Sequence, residues 1–405
     1  MNVLIFNCGS SSQGFKVYRA GVGRPPQVLI AGKARNVATK TQASAYLDWE
    51  REGKSEKREL DLSTHALAAE AIIAVLSEKG VAVDAIGHRF VHGGSELTST
   101  TLIDAASRPV LWKTAPLAPI HNPNSLAVIE VCLREFPLVP EYAVFDTMFH
   151  AGMPEEAYTF AIPTAIREKL NLRKFGFHGL SYQYVSRRTA ELLGRPLAEL
   201  RLVIAHLGTG GSSVVAVQGG RSLDTSIGTT MSGLVMSTRC GDIAPEVELA
   251  LARDGYDVDE IEDILANQSG LVALSQVSSD LLEIIAEADK GDKNCKLAFA
   301  VYSHRLSHYV GAYFWLLGGA DAIVFTDDVG TRAWQVREAV CRGAEALGVS
   351  IDPEANRRAV GLEAFVQAPD STTAILVVPT DEEGVILDEV LRQMAESGGG
   401  HQQGP

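Results

Sequence analysis

The 405-residue sequence has few cysteines, no long apolar run and fewer cations than acids. Its five cysteines, Cys8, Cys132, Cys240, Cys295 and Cys341, are odd in number and widely scattered, with no C-x-x-C, so neither a disulfide framework nor a cysteine zinc site is indicated. That usage fits a reducing cytoplasm. No apolar run reaches membrane-spanning length, and Val3 opens a strand with no charged leader before it, so a soluble cytoplasmic protein without membrane contact is expected. Lys and Arg number 36 against 50 Asp and Glu, a net charge of -14, which leaves few spare cations for a nucleic-acid groove. A small anion needs only two or three arginines. Also missing are G-x-x-x-x-G-K-[ST] and the protein-kinase pair H-R-D and D-F-G, which excludes those nucleotide sites.

What is present is ordinary globular composition, 46% hydrophobic and 21% charged, in a chain long enough for two domains. Only the end, Ser397-Gly-Gly-Gly-His-Gln-Gln-Gly-Pro405, lacks the apolar content to pack. Two stretches echo each other: Ile5-Phe-Asn-Cys-Gly-Ser-Ser-Ser12 and Val203-Ile-Ala-His-Leu-Gly-Thr-Gly-Gly-Ser-Ser213. In each an apolar strand enters a turn of glycines and hydroxyls, and a second strand leaves, over 14–18 and 213–217. Such turns let backbone N–H groups approach an anion closely. A plain β-hairpin is the alternative.

Elsewhere, polar residues stand where apolar segments end. Arg89 and His92 close a strand over 86–92, either as rim residues or as an anion site at a strand's carboxyl end. His121 lies in the proline-stiffened loop 116–125, ahead of a helix starting near Asn124. Asp146 ends the apolar strand from Tyr142, capping the next turn or serving a metal. His178 precedes a helix over 181–193. Arg239 is flanked by small residues, and either offers its guanidinium to a ligand or pairs with Asp242. A helix over 63–79 is read with Ser63 as cap and Leu67, Ala71, Ile72 and Leu76 on its inner face, and another over 333–347. Glu382 and Glu383 open the final helix, 381–395, where acids usually offset the dipole. Cations, imidazoles, glycine turns and scattered acids together suit phosphoryl transfer, which needs charge neutralised and reactants held in line rather than a covalent bond to the protein. A nucleotide-gated switch protein and a histidine-based hydrolase are the rivals, and neither needs two arginines.

Asn7-Cys-Gly-Ser-Ser-Ser12, Gly87-His-Arg-Phe-Val-His-Gly-Gly94, Leu117-Ala-Pro-Ile-His-Asn-Pro123, Val144-Phe-Asp-Thr-Met-Phe-His150, Phe175-Gly-Phe-His-Gly179, Ser237-Thr-Arg-Cys-Gly-Asp-Ile243 and Pro379-Thr-Asp-Glu-Glu383 occur in that order along the chain. Together they resemble the acetate kinase family. The resemblance implies a duplicated actin-like ATPase (ribonuclease H-like) α/β fold in two domains with a central cleft. One domain would comprise 1–150 with 382–397, the other 151–381, followed by a disordered tail, 398–405. It also implies a homodimer that reversibly transfers a phosphoryl group from ATP to acetate, giving acetyl phosphate and ADP with Mg²⁺, or Mn²⁺ in its place.

By matching positions, Arg89 and Arg239 would hold acetate and the phosphoryl group, His178 would hydrogen-bond that group in flight, and His121 would line the same site. Asn7, Glu382 and Asp146 would organise the metal. Val91, Ile120 and Phe177 would pack the acetate methyl, where one methylene is worth about 1 to 3 kcal/mol, so chain length is only weakly limited. Ser12, His206, Gly208, Thr209, Gly210, Asp280, Asp328 and Gly330 would face phosphates and nucleotide.

The departures fall on the donor side. Gln13-Gly14 stands where the family usually has Leu-Lys, Thr209-Gly-Gly211 where it has Asn-Gly-Ala, and Leu282 where an arginine is expected. Phe325-Thr-Asp-Asp-Val-Gly-Thr-Arg332 replaces a pattern with glycine or alanine and then glycine at 327 and 328. A carboxylate about 4 Å from a phosphate oxygen opposes binding by roughly 4 kcal/mol at an effective dielectric near 20, before screening. Because the transfer and acceptor groups persist, an ATP-dependent acetate kinase is the leading expectation. Its alternatives are a pyrophosphate or phosphate donor, propionate or butyrate as acceptor, and an inactive relative.

Overall fold

The computed structural model describes residues 1–21, 24–39 and 44–399. Contacts divide the chain into two units, Met1–Met148 with the segment from Asp381 onward, and Phe149–Thr380.

The first unit is built on an eight-stranded sheet of β1 (Asn2–Cys8), β2 (Ser12–Gly21), β3 (Arg24–Arg35), β4 (Tyr46–Arg51), β5 (Lys54–Glu59), β6 (Ala85–Phe90), β7 (Thr101–Leu102) and β8 (Glu141–Phe145), in the order β5-β4-β3-β2-β1-β6-β8-β7. The sheet of the second unit contains β9 (Arg201–Leu207), β10 (Ser212–Gln218), β11 (Arg221–Thr225), β12 (Ala322–Thr326), β13 (Ala364–Phe365) and β14 (Ala374–Val377), in the order β11-β10-β9-β12-β14-β13. The two share a pattern. β1 pairs antiparallel with β2 and parallel with β6, as β9 does with β10 and β12, and both sheets then add a parallel and an antiparallel neighbour. The second sheet thus repeats six strands of the first, β3-β2-β1-β6-β8-β7, without the β4–β5 hairpin, which is the duplicated α/β architecture that the paired glycine turns imply.

Burial follows from this layering. Leu4, Phe6, Phe15, Val17 and Ile30 pack beneath the helix His65–Glu78. On the other face of β6 the final helix, Glu382–Gly399, comes so near that a Cβ at Gly87 would lie 2.7 Å from Ile386 and 2.9 Å from both Ile5 and Val390. Glycine is required there for close approach.

Several local expectations are corrected. Thr64, not Ser63, caps the first helix, its side chain accepting from Leu67 N–H, and the buried face is His65, Ala68, Ala69, Ile72, Val75 and Leu76, with Leu67 turned outward. The helix after the proline loop begins at Asn122, so His121 is its N-cap rather than a mid-loop residue. The helix expected over 333–347 stops at Cys341 and resumes as a single turn at Glu345–Leu347, because Gly343 takes a positive φ of 81°. The last helix runs to Gly399, two residues into the stretch read as a tail. Residues 400–405 lie outside those described.

Candidate functional site

Because β1, β6 and β8 run parallel, their carboxyl ends bring Asn7, Arg89 and Asp146 to one edge of the first sheet, the usual place for a ligand in an open α/β sheet. Arg89 grips Asp146 with a fork of two bonds, Nε to Oδ1 at 3.0 Å and Nη2 to Oδ2 at 2.7 Å. Its remaining Nη1 donates to Asn7 Oδ1 at 3.1 Å and stands 3.7 Å from Glu382 Oε2. Burial opposes the Arg89 charge, but Asp146 and Glu382 more than reverse that and hold it protonated. Both oxygens of the buried Asp146 are thereby occupied. The pairing orients the Arg89 guanidinium.

The amide of Asn7 donates to Glu382 Oε2 at 3.3 Å and to Glu383 Oε1 at 2.9 Å. Lys16 closes the circuit, with Nζ 3.3 Å from Glu383 and 3.5 Å from Asp381. Burial pulls the Lys16 ammonium down while Glu383, Tyr18 and Asp381 push it up further, and Lys16 in turn helps hold Glu383 below the usual carboxylate range against its own burial. Asn7, Gly9, Ser12, Lys16, Arg89 and Glu383 line a hollow of about 250 Å³. Lys16 and Glu383 were not singled out from sequence. The signal available was the period of two along β2, which puts Ser12, Gly14 and Lys16 on one face. Thus the cation missing at Gly14 reappears one pleat along.

The other first-unit candidates are placed as follows. His92 is buried rather than on a rim: Nδ1 accepts from Gly94 N–H at 3.0 Å, the His92 backbone N–H donates to Asn122 Oδ1, and burial pushes the imidazole pKa down to about 4. Val91 is buried, whereas Ile120 is half exposed. Cys8 is inert as a nucleophile, since burial pushes its thiol up to about 12.

In the second unit, His178 caps the helix Gly179–Leu193 in a left-handed conformation, φ 59°, and stacks on His206 with ring centres 4.2 Å apart. Its Nδ1 meets Ser213 Oγ at 2.7 Å, and Tyr182 OH meets the same oxygen at 2.5 Å. Burial holds the Tyr182 proton on its phenol, so Tyr182 and Ser213 share a hydrogen bond between two neutral hydroxyls beside His178 Nδ1. The other ring nitrogen, Nε2, lies on the side facing Gly211. Phe177 is buried, its carbonyl accepting from His150 Nε2.

Arg239 does not pair with Asp242, whose oxygens accept from Gly233 N–H and Tyr309 OH. Its polar contact is Nη1 to Met236 Sδ at 3.7 Å, and burial lowers its pKa. Among the described residues it is a half-buried guanidinium with no carboxylate partner.

The second glycine turn is occupied from within. Asp328 accepts from Thr209 N–H at 2.9 Å and Thr209 Oγ1 at 2.5 Å, while Asp327 pairs with His206 Nε2 at 3.2 Å. Gly210 stays exposed. Gly330 is buried, its carbonyl held by the buried Arg337 at 2.8 Å, and Asp280 caps the helix Leu281–Asp289 by accepting from Leu282 N–H.

Magnesium can be tested against these groups by their chemistry. It takes hard oxygen ligands and keeps several waters, so one carboxylate, one amide oxygen and an open hollow suit it. Glu382 and Asn7 supply one carboxylate and one amide oxygen of that kind, Asn7 lining the hollow and Glu382 standing next to it, bonded to the Asn7 amide nitrogen.

No helix among the described residues is long and apolar enough to cross a membrane. The family model described as the Acetokinase family matches residues 2–388. An acetate kinase of Dictyoglomus thermophilum is 41% identical over 97% of this chain and 99% of its own length. Among solved structures, Porphyromonas gingivalis acetate kinase superposes with a TM-score of 0.87 at 35% identity, covering 96% of this chain and 99% of that one. A propionate kinase from Francisella tularensis gives the same TM-score at 36% identity, covering 96% and 98%. Matched from end to end in sequence and in fold, the chain belongs to the acetokinase family.

Proposed function

We propose that the chain is an acetate kinase that transfers the terminal phosphoryl group of ATP directly to acetate. The observation that carries this reading is Arg239, a partly desolvated cation with no carboxylate partner, held where only an anionic ligand would compensate it. In this reaction an acetate oxygen forms a bond to the terminal phosphorus as the bond from that phosphorus to the ADP oxygen breaks, and no proton moves. The nucleophile is already ionised at neutral pH, so no general base is needed. The pairing of Asp146 with Arg89, which keeps the carboxylate ionised as an orienting group, accords with that.

Arg239 binds the equatorial oxygens and neutralises their charge, and His178 hydrogen-bonds the same group. Arg89, aimed by Asp146, holds acetate or the phosphoryl group, and His121 lines the same acceptor site. Glu382 and Asn7 hold Mg²⁺ or Mn²⁺, oriented by Glu383 and Lys16. The metal, when bound, supplies Lewis-acid neutralisation of the donor phosphates. Val91, Ile120 and Phe177 contact the acetate methyl. Ser12, Gly208, Gly210, Asp280 and Gly330 belong to the donor side, and the working form is a cytoplasmic homodimer.

Arg239→Ala tests the assignment: kcat should fall by about 100-fold or more, and a loss below about tenfold would remove Arg239 from its role. Propionate is a second acceptor on this reading, supported by the likeness to a propionate kinase and by the small discrimination that one methylene affords.

A further inference from the structure

We propose that Asp327 and Asp328 are specificity-determining residues: their carboxylates occupy the second glycine turn in place of donor phosphate oxygens, so a nucleotide binds only by displacing them. This rests on the reading that the turn over 206–211 receives the donor's phosphates. Its glycines, hydroxyl and backbone N–H groups are what an oxyanion would use there. The structure has already given those groups a carboxylate. Asp328 takes both Thr209 donors and, at 2.7 Å, its neighbour Val329 N–H, the kind of multiple contact a phosphate oxygen would seek.

Asp327 completes the plug. Its Oδ2 pairs with His206 Nε2 and lies against Gly208 so closely that a Cβ at 208 would overlap it. It holds this position in a left-handed backbone conformation, φ 65°, which favours glycine. Thus an acidic residue sits at a backbone position suited to glycine, its charge directed at the turn. Beside the pair, Asp327, Asp328, Thr331, Arg332, Val360 and Gly361 line a hollow of about 470 Å³. That leaves room for part of a ligand while its phosphates meet two negative charges. The consequence is weak nucleotide binding, reversible by removing the carboxylates.

Titration calorimetry with ADP and Mg²⁺ tests this without turnover. Compared are the full chain, Asp328→Asn, which keeps a hydrogen-bond acceptor but loses the charge, and the double variant Asp327→Gly with Asp328→Gly. Affinity should rise by about tenfold or more in the double variant and by a smaller factor in Asp328→Asn. Unchanged or weaker binding overturns the proposal. Weaker binding would mean that the aspartates instead recruit the nucleotide, through Mg²⁺ or through Arg332. If the double variant does not fold, as judged by circular dichroism, Asp328→Asn alone decides. Acetyl phosphate formation, followed on the same preparations, separates the two readings: tighter ADP binding with no acetyl phosphate formed leaves this inference standing and removes the kinase assignment.

Discussion

Arg89 and Arg239 answer the same electrostatic need in opposite ways. Arg89 is locked by Asp146 and stays charged despite its burial, whereas Arg239 has no such partner and is destabilised by burial until an anion arrives. Asp146→Asn should therefore leave Arg89 charged but badly aimed. The expected result is a fall in kcat of about 100-fold with little change in the KM for ATP, measured by steady-state kinetics. A variant as fast as the parent would mean that the fork does nothing for catalysis.

His92 gives a second prediction at this scale. Its pKa is about 4 when folded and near 6.5 otherwise, so the unfolded chain binds the proton first as pH falls. Its contribution is complete above pH 6.5 and is lost on the way down to pH 4, by about 3 kcal/mol. Urea titrations over that window should show His92→Gln losing less stability than the parent, and parallel profiles would refute the assignment. The sequence reveals such residues unevenly. Asn7, Arg89 and Asp146 can be picked out because they end apolar strands. Lys16, Glu383, Tyr182 and Ser213 cannot, because their roles come from strand register and from side-chain contacts across more than 30 positions.

At the scale of elements, the final helix holds the metal side of the first unit in place. Glu382 and Glu383 lie in its first turn, and Ile386 and Val390 press on β6 over Gly87. Gly87→Ala inserts a methyl group where three side chains already stand under 3 Å from its position, so it should cost about 1 to 3 kcal/mol and lower Tm. An unchanged Tm would show that the helix yields freely. Strands were legible where a short apolar run ended in a turn of glycines and hydroxyls, as in β1 and β9. The hairpin β4–β5 was missed because Lys54-Ser-Glu-Lys-Arg-Glu59 has no apolar alternation, its strand being fixed by pairing with β4 alone. The first helix was set one step off because Ser63 and Thr64 are both good caps, and only the backbone shows which one bonds Leu67.

For the whole molecule, duplication is the feature from which the rest follows. Each sheet repeats one strand plan, and each offers a glycine turn between its first two strands, at 9–11 in one unit and 208–211 in the other. The repeat was visible in the two matching sequences. The difference between the turns was visible only in part. Asp327 and Asp328 stand out in sequence as charges in a glycine position, but their bonds to His206 and Thr209 come from the parallel pairing of β9 with β12. The first turn keeps open ground around Asn7 and Ser12, while the second holds its own carboxylates.

The account stands most directly on whether this protein makes acetyl phosphate from ATP. The measurement is hydroxamate trapping of acetyl phosphate from acetate and Mg²⁺, with ATP, GTP and pyrophosphate as parallel donors over a wide concentration range. The account predicts product with ATP, reached at high donor concentration because the second turn is occupied. Product with pyrophosphate alone, or none with any donor, would contradict it.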